Sequence, residues 1–562
     1  MRGCRRVWAH TGSYQWTLLS LCGFGWMADN MWIQAVAIIL PRVQIHYSGK
    51  PEASYIGTLS SSMFAGMMFG AIGWGTCSDL MGRSAAFNAT LFFTAVFGLV
   101  ASFANTFGTL CLCLFLLGSS VGGSMPTDGT LLLEHMPRGK EYLVTALSVF
   151  FSFGAVLSAL VAIVLVPKHS CPPAPAACDV AIENLGWKYE LMALGLITLT
   201  MFLARMVFFR LHESPRYLVH AGRHQEALES LQMISRFNGD DFDISLYDVD
   251  DSVRDRLGEN TPFLSPPHDE DSHLLSASAV VQAESPVVPE PDADTDAAAS
   301  HPPPARPRPR PPRSESRASR TSVTSSIFEG KGGWLWWKLP RWIRRPLGAW
   351  LDRFAMVLAP EWIRTTVVVW GVWFGMSLGY TMFNVYLPKL LEARNSAGAA
   401  PKSLEGTLWD VVIFTIGGCP GAVLGAYLIE SPLGRRLSLA GSTFVTAVFC
   451  IIFAMVDGQF AVTASTVGIS LSATAMWAVL YGWTPEIFST KVRGTACGTA
   501  SALSRIGGMI APILGGTLLM VNTSFPVYTS ICVFTLSGVA VLLLSEDAGD
   551  TKGREGGPVI VH

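Results

Sequence analysis

Charge is what this sequence has least of. Only 15% of its 562 residues are Asp, Glu, Lys or Arg, against about 25% in soluble domains. The formal net charge is −2, so the electrostatic footprint of a nucleic-acid binder is missing. The eleven cysteines are scattered, and none falls at the spacing of a zinc site or a redox pair. Cys111 and Cys113 sit in an apolar run and read as small fillers. Only Cys171 and Cys178, in SCPPAPAACD, could close a loop by a disulfide, given an oxidising compartment. No P-loop, Ser-His-Asp arrangement or metal cluster is present. An enzyme, a nucleotide-driven pump and a bound cofactor therefore find no support.

Long apolar runs are what the chain does have. Half of its residues are hydrophobic, and many runs exceed the roughly 18 residues that a hydrocarbon core requires. Ala85 to Ala104 and Val527 to Leu544 are two of them. The pattern predicts an all-α, multi-pass membrane protein. Its twelve transmembrane helices are expected at about 16–40, 54–76, 85–104, 108–131, 142–166, 188–210, 364–388, 407–429, 437–456, 461–484, 495–520 and 525–544. The first run carries Asp29 and Asn30 at its centre, so it reads as a retained helix and not as a cleaved leader. Loop cations set orientation. With the N-terminus inside, Arg83, Arg138, Lys140, Arg435, Arg436, Lys491 and Arg493 all fall in cytoplasmic loops, and the outer loops hold few cations. Both termini are thus expected in the cytoplasm, with the chain in the plasma membrane or in an intracellular vesicle or vacuole.

The expected domains are a first six-helix bundle at 1–211, a cytoplasmic loop at 212–362, a second bundle at 363–545 and a cytoplasmic tail at 546–562. The loop opens with a charged, helix-like piece, HQEALESLQMISRF. About 240–328 is rich in Pro, Ser, Asp and Ala and is expected to be disordered, because it cannot bury enough apolar surface to offset chain entropy. Kinases or adaptor proteins could act on this loop. At about 334–358, Trp residues alternate with Lys and Arg. That suits a helix lying on the inner leaflet, and packing against the next span suits it equally.

The two halves echo each other. GTCSDLMGRS, after the second span, returns as ESPLGRRLSL after the eighth, and Gly82-Arg83 matches Gly434-Arg435 at an offset of 352. LLLEHMPRG, after the fourth span, returns as YGWTPEIFSTKVRG after the tenth; Arg138-Gly139 matches Arg493-Gly494 at an offset of 355. Two charged motifs recurring in order argue for parallel internal repeats, as in secondary transporters.

On these motifs the chain resembles the major facilitator superfamily over nearly all of its length outside the central loop. GTCSDLMGRS is similar to that family's signature loop, with Gly75, Asp79, Gly82 and Arg83 in register and Ser84 where a second cation is usual. ESPRYLVHAGR, after the sixth span, resembles the sugar-porter signature, with His212 in place of its first Pro. GFGWMADNMW, MPTDGTLLLE and PEIFSTKVRGTACGTASALSRIGG resemble the synaptic-vesicle-protein-like branch. The resemblance implies two six-helix bundles that rock about a central site, lined by spans 1, 4, 7 and 10.

Loop charges could latch one state of such a carrier without entering lipid. Asp79 is expected to act with Arg83, Glu134 with Arg138, and Glu486 with Arg493; Glu430 stands near Arg435, and Gly82 and Gly434 read as tight-turn positions. Ordinary solvated loop charges are the alternative. Within the spans, an ionisable residue is costly and therefore a site hypothesis. Asp29 is expected to couple protons or meet substrate charge, with Asn30 and Gln34 sharing a neighbouring face. Asp128, below Ser120 and Ser124, is placed with it on the first-half wall; Tyr380, Asn384, Trp477 and Tyr481 are placed opposite. Arg505 lies near mid-depth of span 11, and Arg205, near the inner end of span 6, is expected to snorkel. A permanent Asp29–Arg505 ion pair that only holds helices together is the competing view.

Further absences narrow the substrate. Span 4 lacks the intramembrane Arg of proton-driven drug antiporters, span 5 lacks their Gly-Pro motif, and span 7 lacks the glutamine pair of hexose carriers. The reading that results is a proton-coupled carrier, a symporter, for a small polar or ionic metabolite: an organic acid, a polyol or sugar, or an organic cation. A non-transporting sensor or vesicle regulator on the same fold is the alternative.

Overall fold

The computed structural model describes residues 12–47, 55–81, 83–136, 147–171, 178–208, 211–220, 223–239, 340, 348, 351, 354–397, 403–488 and 493–544. Twelve long helices carry the fold: α1 (Ser13–His46), α2 (Gly57–Met81), α3 (Arg83–Ser102), α4 (Phe107–His135), α5 (Leu147–Leu165), α6 (Gly186–Phe208), α7 (Ile363–Ala397), α8 (Leu404–Glu430), α9 (Gly434–Met455), α10 (Gln459–Ile487), α11 (Arg493–Val521) and α12 (Phe525–Leu542). Among the described residues, ten helices, α3 to α12, are long and apolar enough to cross a membrane by length and composition. The other two are more polar: Gln15, Asp29, Asn30, Gln34 and Arg42 dilute α1, and a run of Gly, Ser and Thr dilutes α2. Some of their polar groups find protein partners: Asn30 bonds the Phe151 carbonyl and Ser61 the Met509 carbonyl.

Packing repeats with a period of six helices. In the first half α1 packs on α5, α2 on α4, and α3 on both α4 and α6; in the second, α7 packs on α11, α8 on α10, and α9 on both α10 and α12. The halves meet through α2 with α11, α5 with α8, and α1 with α7. Two six-helix bundles related by the repeat are the result. Small residues permit the closest crossings. A Cβ at Gly66 or Gly70 of α2 would sit 2.0 or 1.8 Å from a carbonyl of α4, and one at Gly118 or Gly122 of α4 would sit 2.1 Å from a carbonyl of α2. Such small-xxx-small pairs let backbones touch where lipid gives no hydrophobic drive.

Two helices overrun their expected ends. α1 continues through Pro41 and α7 through Pro388, so Arg42, Gln44, Lys389 and Glu392 stand on helix instead of in loops. Cys171 and Cys178 form a disulfide with Cα atoms 5.8 Å apart. The charged piece after α6 is a helix, His224–Asn238, ended by Gly239 in the left-handed region at φ 78. It buries Ala227, Leu231 and Ile234, and Asn238 accepts a 2.9 Å bond from the Tyr14 amide at the start of α1. The segment expected to be disordered, 240–328, and most of the expected interfacial helix, 334–358, lie outside the described residues. The last turn of the latter packs on α7: Val357 is fully buried, and Phe354 stacks on Trp370 with ring centres 6.0 Å apart.

Candidate functional site between the bundles

Asp29 sits midway along α1, about 1% exposed. Its Oδ1 accepts a 2.5 Å hydrogen bond from Ser124 Oγ of α4, and its Oδ2 is buried without a hydrogen-bond partner. Its charged neighbours are Asp128, Arg505 and Arg205. Next to it, Asn30 Nδ2 donates to the Phe151 carbonyl at 2.8 Å and ties α1 to α5. Gln34 is buried, and its Nε2 has no hydrogen-bond partner. The polar residues expected on α1 are therefore present in the interior but do different work.

Asp128 and Arg205 require a correction. The sequence reading put Asp128 on the central wall and let Arg205 snorkel to the inner face. Instead, Arg205 Nη2 meets Asp128 Oδ2 at 2.9 Å, with both side chains 0% exposed. Arg205 Nε and Nη1 donate to the carbonyls of Leu21 (3.0 Å) and Phe87 (2.6 Å), and the guanidinium lies 3.7 Å from the centre of the Phe87 ring. Gly25 makes the room, since a Cβ there would fall 1.8 Å from Asp128 Oδ2. Reaching solvent would have broken four interactions, so the arginine stays inside.

Arg505, on α11, is half-buried. Its Nη1 donates to Ser501 Oγ at 2.8 Å, its Nη2 reaches the Gly122 carbonyl of the other bundle at 3.4 Å, and its Nε has no partner. Asp29 and Tyr481 are its electrostatic neighbours, yet no hydrogen bond or ion pair joins Asp29 to Arg505 among the described residues. Opposite Asp29, α7 and α10 supply the expected aromatics. Trp477 and Tyr481 have ring centres 5.7 Å apart, and Tyr380 lies 6.4 Å from Trp477. Trp373, absent from the sequence reading, completes the cluster 4.9 Å from Tyr481 and donates to Thr484 Oγ1 at 3.0 Å. An aromatic two turns before Tyr380 on the same helix face was the available signal. Tyr481 is 41% exposed, whereas Asn384 is 3% exposed with Oδ1 unpartnered.

Besides the Arg505–Gly122 contact, three polar contacts among the described residues join the bundles at the end holding the α1–α2 and α7–α8 connections, the end that loop charge assigns to the outside. Arg42 pairs with Glu392, Lys389 Nζ donates to Gln44 Oε1 at 2.7 Å, and Ser61 Oγ donates to the Met509 carbonyl at 2.7 Å. At the other end, Gly434 has φ 75, which a tight turn there requires. Arg435 Nη1 meets Glu486 Oε2 at 2.7 Å, so two repeated loop motifs of the second half touch. Glu213, just after α6, accepts at 3.2 Å from the Ser84 amide at the start of α3. Glu134 is half-buried on the last turn of α4. Gly75 falls within α2. Gly82, Arg138 and the side chains of Asp79, Arg83, Glu430 and Arg493 lie outside the described residues.

Comparison with known proteins agrees with this architecture. The family profile described as "Sugar (and other) transporter" matches residues 24–253, and the Major Facilitator Superfamily profile matches residues 369–559. The chain is 30% identical to the MFS siderochrome iron transporter 1 of Ceriporiopsis subvermispora, covering 95% of this chain and 87% of that protein. It is 25% identical to organic cation/carnitine transporter 7 of Arabidopsis thaliana (97% and 93% covered). It is 24% identical to the niacin transporter NiaP of Acinetobacter baylyi (96% of each). Among solved structures, the partially occluded inward open form of the xylose transporter XylE from E. coli superposes with a TM-score of 0.60 at 13% identity, covering 95% of this chain and all of that one. With repeat, packing and relatives in agreement, the chain belongs to the major facilitator superfamily, as a transporter of the sugar-porter-like kind.

Proposed function

We propose that the protein is a proton-coupled carrier of a small polar or ionic metabolite, working by alternating access, with Asp29 as the proton-carrying group and Arg505 and the aromatic cluster facing the solute. One observation carries this reading. Two ionisable side chains, Asp29 and Arg505, stand at the junction of the bundles as electrostatic neighbours, each with an orphan polar atom and with no direct ion pair between them among the described residues. Permanent helix-holding charges would be expected to pair directly, as Asp128 and Arg205 do. A carboxyl with one oxygen held by Ser124 and one free can take up a proton in one state and release it in the other.

Relatives named for siderochrome iron, for organic cations and carnitine, and for niacin support a charged or polar solute. A structural neighbour named as a D-xylose-proton symporter supports proton coupling. The Arg42–Glu392 and Lys389–Gln44 contacts serve as the outer latch in this scheme, and the Arg435–Glu486 pair belongs to the inner one. The test is transport in proteoliposomes of the solute giving the largest thermal shift from a panel of organic acids, polyols and organic cations. An inward pH gradient should accelerate uptake, and a protonophore should abolish the acceleration. Uptake indifferent to the protonophore would remove the coupling.

A further inference from the structure

Resting on the carrier reading above, we propose that the site between the bundles takes a small monocarboxylate bearing an aromatic ring. Its carboxylate sits on Arg505 and its ring lies against Trp477 and Tyr481.

The charge argument comes first. Asp128 and Arg205 cancel each other inside the first bundle. Asp29 is 1% exposed and held by Ser124, so its carboxyl has almost no surface to offer a solute. Arg505 is half-buried, and its hydrogen bonds go to a hydroxyl and a carbonyl only. No carboxylate lies within ion-pair distance of it among the described residues. The charge offered to a solute is therefore positive, and a cation at membrane depth requires an anionic partner. A guanidinium selects carboxylate geometry, because its planar fork donates two parallel bonds.

The walls supply the second half of the argument. Trp373, Tyr380, Trp477 and Tyr481 form one connected cluster with ring centres 4.9 to 6.4 Å apart. Tyr481 keeps 41% of its surface uncovered while lying close enough to Arg505 and Asp29 to feel their charge. An uncovered aromatic face beside a cation favours a flat ring over a polyhydroxylated one. Asn384, one turn beyond Tyr380, offers its orphan Oδ1 as an acceptor for a ring N–H or hydroxyl. A quaternary ammonium would also find aromatic faces here, but Arg505 would repel it.

The experiment uses the purified full chain in lipid nanodiscs at a pH where carboxylic acids are ionised, with tryptophan fluorescence and melting temperature as readouts. The probes are benzoate, benzamide, cyclohexanecarboxylate and tetramethylammonium. Benzoate should bind at least about tenfold tighter than benzamide, since a buried donor left unpaired penalises the amide. It should also bind several-fold tighter than cyclohexanecarboxylate. Arg505→Gln should erase the preference for acid over amide, and Arg505→Lys should weaken it. Tyr481→Leu should erase the preference for the flat ring, which keeps the test alive if Arg505→Gln does not fold. Benzamide or tetramethylammonium binding as tightly as benzoate, no response to benzoate, or an unchanged order in the folded variants would overturn the ligand class. Protonophore-insensitive uptake would defeat the coupling and leave this binding order standing, so the two readings fail separately.

Discussion

Two acid–base sets among the described residues of the membrane interior differ in one respect: one is a direct ion pair and the other is not. Asp128 and Arg205 form a direct ion pair: the guanidinium's partners all lie inside the first bundle, and both side chains are fully buried, with Asp128 Oδ1 left without a hydrogen-bond partner. Asp29 and Arg505 come from different bundles and stay unpaired, each with one orphan atom. A direct buried ion pair resists change, because separating it leaves an uncompensated charge. Charges without such a pair leave their last interactions to a proton, a solute or the other conformational state. The difference separates what holds the first bundle together from what the two bundles share.

Breaking the direct ion pair should have the largest effect. Arg205→Ala, Asp128→Ala or Gly25→Val leaves an uncompensated or displaced buried charge, at a cost of about 3–5 kcal/mol. Size-exclusion profiles and melting curves of the detergent-solubilised protein should show severe loss of folded material. A smaller effect is expected at the outer latch. Glu392→Gln removes the partner of Arg42 and should shift the population toward the outward-open form by about 1 kcal/mol, roughly fivefold. The readout is labelling of Asn384→Cys by a membrane-impermeant maleimide added from outside, with the other free cysteines replaced by Ser. The smallest effect belongs to Arg435–Glu486, whose side chains are 45% and 42% exposed. Glu486→Gln should lower stability by well under 1 kcal/mol and leave the melting temperature nearly unchanged.

Much of the architecture was legible in the residues because two periodicities coincide. Apolar runs long enough for a membrane marked the helices, and loop motifs recurring about 350 residues later marked the repeat. Tyr380 of α7 and Trp477 and Tyr481 of α10 were legible on their helix faces, whereas Trp373 emerged from the packing. Partner choice was not. Arg205 lies near a helix end, where a long side chain ordinarily reaches water; only the folded bundle reveals that Leu21, Phe87 and Asp128 hold it inside. The outer latch was hidden for a different reason. Pro41 and Pro388 suggest helix ends in sequence, but α1 and α7 continue through them and bring Arg42 and Glu392 together.

The most direct test of the division between the two charge sets is pH-gradient-driven uptake in proteoliposomes by Asp29→Asn and Asp128→Asn, each corrected for folded protein. Asn can still accept the Ser124 bond, so Asp29→Asn should keep its melting temperature within a few degrees and lose the acceleration by the gradient. Asp128→Asn should melt far lower, while whatever remains folded still responds to the gradient. A gradient response retained by Asp29→Asn, or lost by well-folded Asp128→Asn, would contradict the account.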